Sequence, residues 1–100
     1  MPSIPFLTQL EPASRKYVGA YIRHLRTALH MSQLQLAYTT GYSVVTISRI
    51  ETGKANPMGV AGRDILTALA SLHGMDDAND MLDDWERFVS SEEVIFEPLQ

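Results

Sequence analysis

The stretch from Ser32 to Lys54 constrains this chain more than any other, because it holds paired signals for two short helices and the tight turn between them. Ser32 is followed three residues later by Gln35, which is the spacing of a reciprocal side-chain cap at the start of a helix. Gly41 stands where the first helix would end, and glycine readily adopts the left-handed conformation that such an end often requires. Ser43 is a good cap for the next helix. We therefore expect two consecutive helices here.

The second of these helices has an outward face that core packing does not explain. Ile47 and Ile50 are three residues apart, so they share a face and point inward. Val45 and Arg49 are four residues apart and point the other way. An exposed β-branched Val at a helix start is unusual, because Val is neither a strong helix former nor a solubilising residue. Apolar side chains there can contact thymine methyl groups of DNA, and Arg can bind guanine or phosphate.

The alternative interpretation is a helical hairpin with no ligand, since Ser-x-x-Gln and a single Gly are each common in helical proteins. Here several signals fall in one register. They are the cap, the small Ala37, Gly41, the two inward isoleucines and the apolar start of the outward face. That register predicts a helix-turn-helix, whose second helix lies in the major groove of DNA.

The chain from about Val18 to Leu72 resembles the lambdoid phage repressor and Cro family, also called the xenobiotic-response-element type. The matching residues are Ile22, Arg23 and Arg26 in the first helix, Ser32-Gln33 and Leu36-Ala37 in the second, and Ser48-Arg49-Ile50-Glu51, Gly53-Lys54 and Pro57 in the third helix and its exit. The resemblance implies an all-α fold, a compact bundle of about five helices, and binding to operator DNA as a dimer.

The resemblance also assigns roles to individual residues. It implies that Gln33 contacts phosphate, that Lys54 lies near the DNA backbone, and that Arg26 and Glu51 form a structural ion pair. Glu51 would then be no catalytic acid. The candidate DNA-binding residues are Gln33, Ser43, Val44, Val45, Thr46, Arg49 and Lys54.

Two places depart from the family pattern. His30 stands at the end of the first helix, where the family often has Gly, so His30 must take a positive φ or the helix must end differently. The stretch from Pro57 to Leu72 is longer than usual, and we expect residues 58–62 to form a longer loop before the fourth helix.

Charge is distributed very unevenly along the chain, whose net charge is −4. Residues 1–63 contain seven basic and two acidic residues, a net of +5, whereas residues 64–100 contain one basic and ten acidic residues, a net of −9. This asymmetry fits one half that contacts DNA and another half that phosphate repels.

We divide the chain into an N-terminal arm over 1–11, a helix-turn-helix domain over 12–74, and an acidic C-terminal helix and tail over 75–100. The arm is apolar enough to pack on the body or on a second subunit, and Pro12 suits a first helical turn. Two apolar stripes define the flanking helices of the domain. They are Val18, Ile22, Leu25 and Leu29 in the first helix, and Ile65, Leu66, Leu69 and Leu72 in the fourth, which Gly74 ends.

Apolar residues recur at three- and four-residue steps after Gly74 and predict an amphipathic fifth helix. The stripe is large for a bundle that already has four helices, so we expect it to form a homodimer interface rather than only to cover the core. The interface residues would be Met81, Leu82, Trp85, Phe88 and Val89. The short apolar run at 94–96 is a strand or a clasp.

Several other classes of function find no support in the sequence. The chain has no cysteine, its three histidines lack a metal-ligand spacing, and its acidic run over 76–84 lacks the spacing of a calcium loop. It has no apolar run of membrane-spanning length and no secretion signal at its N-terminus. We therefore expect a cytoplasmic protein that is not an enzyme and that needs no metal or cofactor.

Two hypotheses about function remain. In the first, the protein is a homodimeric transcriptional repressor from a phage or a bacterium, and it binds a palindromic operator. In the second, it is an antitoxin or another interaction protein, whose acidic C-terminal segment binds a protein partner and whose DNA binding serves autoregulation.

Overall fold

A computed structural model describes residues 17–57, 59–75 and 77–96, with the backbone alone given for 78 and 91–96. Within these ranges the chain forms five helices, which confirms the expected all-α fold. They are α1 (Val18–Ala28), α2 (Gln33–Thr40), α3 (Val44–Glu51), α4 (Val60–Leu72) and α5 (Ala78–Phe96). The N-terminal arm over 1–11, Pro12 and the last four residues lie outside the described residues.

The helix pair α2–α3 is built from the local signals found in the sequence. The Ser32 hydroxyl accepts a hydrogen bond from the Gln35 backbone N–H at 3.0 Å, and the Gln35 side chain accepts one from the Ser32 backbone N–H at 2.7 Å. Gly41 ends α2 with a φ of 80°, and Ser43 caps α3 by accepting from the Thr46 N–H at 3.1 Å. The capping box, the glycine stop and the second cap are therefore confirmed.

The end of α1 resolves the alternative that His30 left open. His30 adopts a φ of 58°, and no other non-glycine residue of the described chain has a positive φ. Its N–H donates to the Thr27 carbonyl at 3.0 Å, and the N–H of Met31 donates to the Arg26 carbonyl at 3.2 Å. These two bonds form the motif that commonly accompanies a left-handed residue at a helix end.

The expected loop over 58–62 is wrong in its second half, because α4 begins at Val60. Gly59 is the N-cap of the helix, and Gly62 lies in its first turn. A side chain on Gly62 would place its Cβ against the backbone of Pro57. Gly62 therefore allows a close approach of helix to loop, so its role is packing within α4 rather than the formation of a longer loop.

The core lies between the inward faces of all five helices. Its fully buried members are Val18, Tyr21, Ile22, Leu25, Leu36, Ile47, Ile50, Ile65, Leu66, Leu69, Ala70 and Met81. Leu29 is half-buried, as expected for the end of a stripe, but Leu72 is 51% exposed, so its assignment to the α4 stripe is wrong. Leu72 lies on the same face of α4 as Ile65, but in the last turn of the helix. Periodicity shows which face of a helix is apolar, and it does not show how far along the helix the packing partners extend.

The apolar face of α5 packs into this same core. Met81, Trp85 and Phe88 are buried, Val89 lies at the margin of the core, and Leu82 is partly buried against it. This arrangement corrects the expectation that the α5 stripe is left over for a dimer or partner interface. The backbone of α5 stays helical through residue 96, so the run at 94–96 is not a strand. The side chains of this run lie outside the described part of the chain, and the clasp stays a prediction.

Tyr21 explains why the monomer needs this helix. Its ring meets the ring of Trp85 edge-on, with centroids 5.1 Å apart, and lies 5.2 Å from the ring of Phe88. Its hydroxyl donates a 2.6 Å hydrogen bond to the Asp84 carboxylate. Because Tyr21 presents a large aromatic ring beside the aliphatic stripe of α1, α1 has apolar surface to bury on α5 as well as on α3 and α4.

A buried ion pair links α1 to the end of α3. Arg26 Nε and Nη2 donate to the two carboxylate oxygens of Glu51 at 2.7 and 3.1 Å, and Arg26 Nη1 donates to the Met31 carbonyl at 2.7 Å. Gln33 Nε2 donates to the same carboxylate at 3.1 Å. The Glu51 side chain is only 2% exposed, so nearly all of its hydration has been replaced by these donors.

We expect Gly19→Ala to destabilise the protein, although the same change usually stabilises a helix interior by about 1 kcal/mol. A Cβ on Gly19 would lie 2.3 Å from the Ile50 carbonyl oxygen, so α1 and α3 would have to separate. The free energy of unfolding, measured with denaturant, should fall by about 1–3 kcal/mol. An increase would show that the two helices do not approach as closely as described.

Removal of one partner of the ion pair should be costlier than removal of both. We expect Glu51→Leu to lower the free energy of unfolding by about 3–5 kcal/mol, because the Arg26 charge is left buried without its carboxylate. The double variant Arg26→Met with Glu51→Leu should recover part of this loss. Denaturant unfolding of Glu51→Leu, Arg26→Met and the double variant provides the measurement, and strictly additive losses would contradict a coupled buried pair.

Candidate nucleic-acid interface

The outward face of α3 is the surface on which the site is built. Ile47 and Ile50 are fully buried, whereas Val45 on the opposite face is 67% exposed and Val44 beside it is half-buried. As the sequence predicted, this short helix is aliphatic on its core side and also at the start of its solvent-facing side. Val44 and Val45 form an apolar step at the N-terminal end of α3.

Polar groups at the start of α3 are already partnered with one another. The Ser43 hydroxyl accepts from the Thr46 backbone N–H and donates to the Thr46 hydroxyl oxygen at 3.0 Å. The Thr46 hydroxyl hydrogen remains available to an external acceptor. Ser43 therefore has a structural role as cap and orients Thr46 beside the two valines.

The basic residues of the site lie at the other end of α3. Arg49 is exposed in the last turn, and Lys54 is exposed in the loop that follows. Arg49 Nη2 donates a 3.2 Å hydrogen bond to the backbone carbonyl of Lys54, so the guanidinium is turned toward the exit of the helix. The face of α3 thus changes from apolar to cationic along its length.

Gln33 joins this face from the first turn of α2. Its side chain is half-buried and tied to Glu51, the last residue of α3, by the 3.1 Å hydrogen bond already described. The bond uses one amide hydrogen of Gln33 and leaves a second one for an external acceptor. The sequence placed Gln33 at the helix start but did not show this link to the ion pair, because the two residues are 18 positions apart.

Tyr42 was missed in the sequence, although it fixes the turn between the two helices. Its hydroxyl donates a 2.6 Å hydrogen bond to the Asp64 carboxylate on α4, and this bond raises the pKa of Tyr42 above its ordinary value. The turn is therefore attached to α4 as well as to its own caps. An aromatic residue directly before the cap Ser43 was the available signal.

His24 and His73 both contact neighbouring parts of the chain. One His73 ring nitrogen lies 2.8 Å from the Leu25 carbonyl, and the His24 ring lies 5.0 Å from the ring of Phe88. Among the residues that the structure describes, no group of three His, Asp or Glu side chains is placed to hold a metal ion. In the same part of the chain, no helix has both the length and the apolar character needed to cross a membrane.

Comparison with known proteins agrees with this geometry. A family model described as a helix-turn-helix domain matches residues 18–81, which run from the start of α1 into the first turn of α5 and include all the candidate DNA-binding residues. No curated protein and no solved structure matches the chain. Since the match covers well over half of the sequence, the chain belongs to the helix-turn-helix domain family.

Proposed function

We propose that the protein is a transcriptional regulator of the phage repressor and Cro type, which binds operator DNA with α3 in the major groove. The observation that carries this proposal is the outward face of α3, where Val45 is exposed at the helix start while Ile47 and Ile50 fill the core. Val45, a β-branched aliphatic residue, is 67% exposed, so the helix gains by covering it, and the thymine methyl group is the apolar feature of the major groove.

Sequence preference would come from the N-terminal end of α3. Val44 and Val45 supply apolar contact, and Thr46 supplies a hydroxyl that can donate to a base edge. Arg49, further along the helix, can bind either a guanine edge or a phosphate.

Affinity would come mainly from contacts to phosphate. Lys54 and Gln33 flank α3 at its exit and at the start of α2, and Arg23 is exposed on α1. The acidic residues are concentrated beyond residue 63, so the negative field of the chain lies mainly on α5 and the segments around it. DNA would be attracted to one face and repelled from the other, which favours a single docking orientation.

We further propose that the protein acts as a homodimeric repressor, which blocks polymerase by occupying a palindromic operator. A two-fold dimer would place two copies of α3 about 34 Å apart, one helical turn of DNA. Because the apolar face of α5 is buried in the monomer as far as Val89, we infer that the dimer contact uses another surface. Access to DNA implies a cytoplasmic location, and we infer a binding protein rather than an enzyme.

The antitoxin hypothesis has lost its main argument. It rested on apolar residues of the acidic segment being left over for a partner, and Trp85, Phe88 and Met81 are buried in the monomer. The acidic outer face of α5 alone is typical of a solvated helix.

We expect selection from a random DNA duplex pool to enrich an inverted repeat with thymines in each half-site. Val45→Ala should relax the preference for one of these thymines and weaken binding to the selected site by about 1 kcal/mol, the transfer free energy of one to two methylene groups. Leu72→Ala, which also truncates a half-exposed apolar side chain but at the far end of α4, is the matched control. Enrichment of no sequence at moderate salt would refute sequence-specific binding, and enrichment of single half-sites would refute the dimer.

The phosphate contacts should be visible in the salt dependence of binding. We expect Lys54→Ala to weaken binding equally on all sequences and to reduce the slope of log affinity against log salt by about 1. Arg87→Ala removes one exposed positive charge from α5 and should leave the slope unchanged. Equal effects of the two substitutions would mean that Lys54 acts only through net charge.

A further inference from the structure

Within the described residues, three helices end in the same backbone motif. The left-handed residue is His30 after α1, Gly53 after α3 and Gly74 after α4, with φ values of 58°, 79° and 76°. In each case the N–H of the next residue donates to the carbonyl five positions earlier, at 3.2, 2.8 and 2.9 Å. The motif satisfies carbonyls that a helix end would otherwise leave without partners.

At two of these ends the residue whose carbonyl accepts this bond is an arginine. Its side chain also donates a hydrogen bond to the residue that follows the left-handed one. Arg26 donates to the Met31 carbonyl at 2.7 Å, and Arg49 donates to the Lys54 carbonyl at 3.2 Å. In return, the Met31 N–H donates to the Arg26 carbonyl and the Lys54 N–H donates to the Arg49 carbonyl. Each arginine is therefore joined to its partner residue by two hydrogen bonds that run in opposite directions. We call this arrangement the arginine clasp. The α4 end has the same motif without a clasp, because its corresponding residue is Ala70.

The clasp at α1 shows what such an arrangement does to a guanidinium. With Nη1 bound to Met31, the remaining edge of Arg26 donates to both oxygens of Glu51. The clasp thus holds the planar group so that its other donors meet an oxyanion in bidentate geometry. Arg49 is tied to its own exit loop at the surface, through Nη2 where Arg26 uses Nη1, so its Nε and Nη1 groups remain as donors. Within the described chain no carboxylate lies within ion-pair distance of it.

We propose that the exit loop of α3 is a positioning element for Arg49, and that Gly53 sets DNA affinity without touching DNA. The clasp would hold the guanidinium for an acceptor on DNA, either a phosphate oxygen or the O6/N7 edge of guanine. The inference rests on the proposed function, because it supplies that external acceptor.

The physical gain lies in conformational entropy. A free arginine on a surface populates many rotamers, and binding must select one of them. The bond to the Lys54 carbonyl restricts the guanidinium before DNA arrives, so less freedom is lost on binding. The position of that carbonyl depends in turn on the left-handed conformation of Gly53.

Gly53 permits a clean test, because a Cβ at this position would meet no atom within 4 Å. A substitution there acts through backbone conformation alone. Gly53→Val should displace the loop, because a β-branched residue rarely adopts a positive φ, whereas Gly53→Asn should keep it. Gly74→Val imposes the same strain, also with no atom within 4 Å of the Cβ, at the helix end that has no arginine.

The experiment is a double-mutant cycle on binding to the operator obtained by selection, at a temperature where circular dichroism shows every variant folded. We expect Arg49→Ala to weaken binding roughly tenfold and Gly53→Val to produce most of that loss. In the Arg49→Ala background, Gly53→Val should have a much smaller effect, no larger than that of Lys54→Ala, because the displaced loop also carries Lys54. Gly53→Asn and Gly74→Val should bind within about twofold of the wild type, since neither disturbs the clasp of Arg49.

The outcomes separate the two proposals. If the wild type binds and the losses from Arg49→Ala and Gly53→Val multiply, or if Gly74→Val weakens binding as much as Gly53→Val, the positioning role is refuted while the regulator stands. If the wild type selects no operator, the proposed function fails first. Loss confined to one base pair in Arg49→Ala identifies a guanine contact, and uniform loss identifies a phosphate contact; the clasp predicts non-additivity in both cases.

Discussion

The buried charge of Glu51 is the constraint on which the DNA-facing surface depends. A carboxylate removed from water must recover its hydrogen bonds from the protein, and a partly satisfied one is strongly destabilising. Its donors come from Arg26 on α1 and Gln33 on α2, and it is itself the last residue of α3. In the described chain no buried side-chain polar atom lacks a hydrogen bond. Three helices therefore have to meet in one arrangement, and that arrangement places the start of α2 beside the end of α3.

The second support comes from the opposite side of α1. Tyr21 inserts its ring against Trp85 and Phe88, and its hydroxyl reaches Asp84. Burial, together with this hydrogen bond and the charge of Asp84, raises the pKa of Tyr21 far above its ordinary value, so the hydroxyl stays a donor at any physiological pH. The acidic helix is thus held to the basic half through an aromatic contact and one strong hydrogen bond. α1 is consequently fixed on two sides, by a buried charge toward α3 and by aromatic rings toward α5.

The parts of the structure that sequence could predict are those in which cause and effect lie within a few residues. The cap at Ser32, the stop at Gly41 and the inward pair Ile47 and Ile50 are of this kind, and all are present. The failures concern distant partners. Tyr21 and Asp84 are 63 positions apart, so nothing local indicates that α1 has a second apolar face and that α5 is needed to cover it. Gly62 is a different case, because its neighbour, the backbone of Pro57, is only five positions away, but the two come close only once α4 has packed against the preceding loop.

The two arginine clasps show how one local device can serve two purposes. Arg26 and Arg49 each stand four residues before a left-handed residue, His30 and Gly53, so this spacing is visible in the sequence itself. What differs is the environment, because Glu51 meets the first guanidinium inside the protein whereas the second faces solvent. The clasp does not decide whether an arginine is structural or functional; it only removes its freedom. Under our proposal Arg49, which has this spacing and no carboxylate of the described chain in reach, is a positioned donor for an acceptor on DNA.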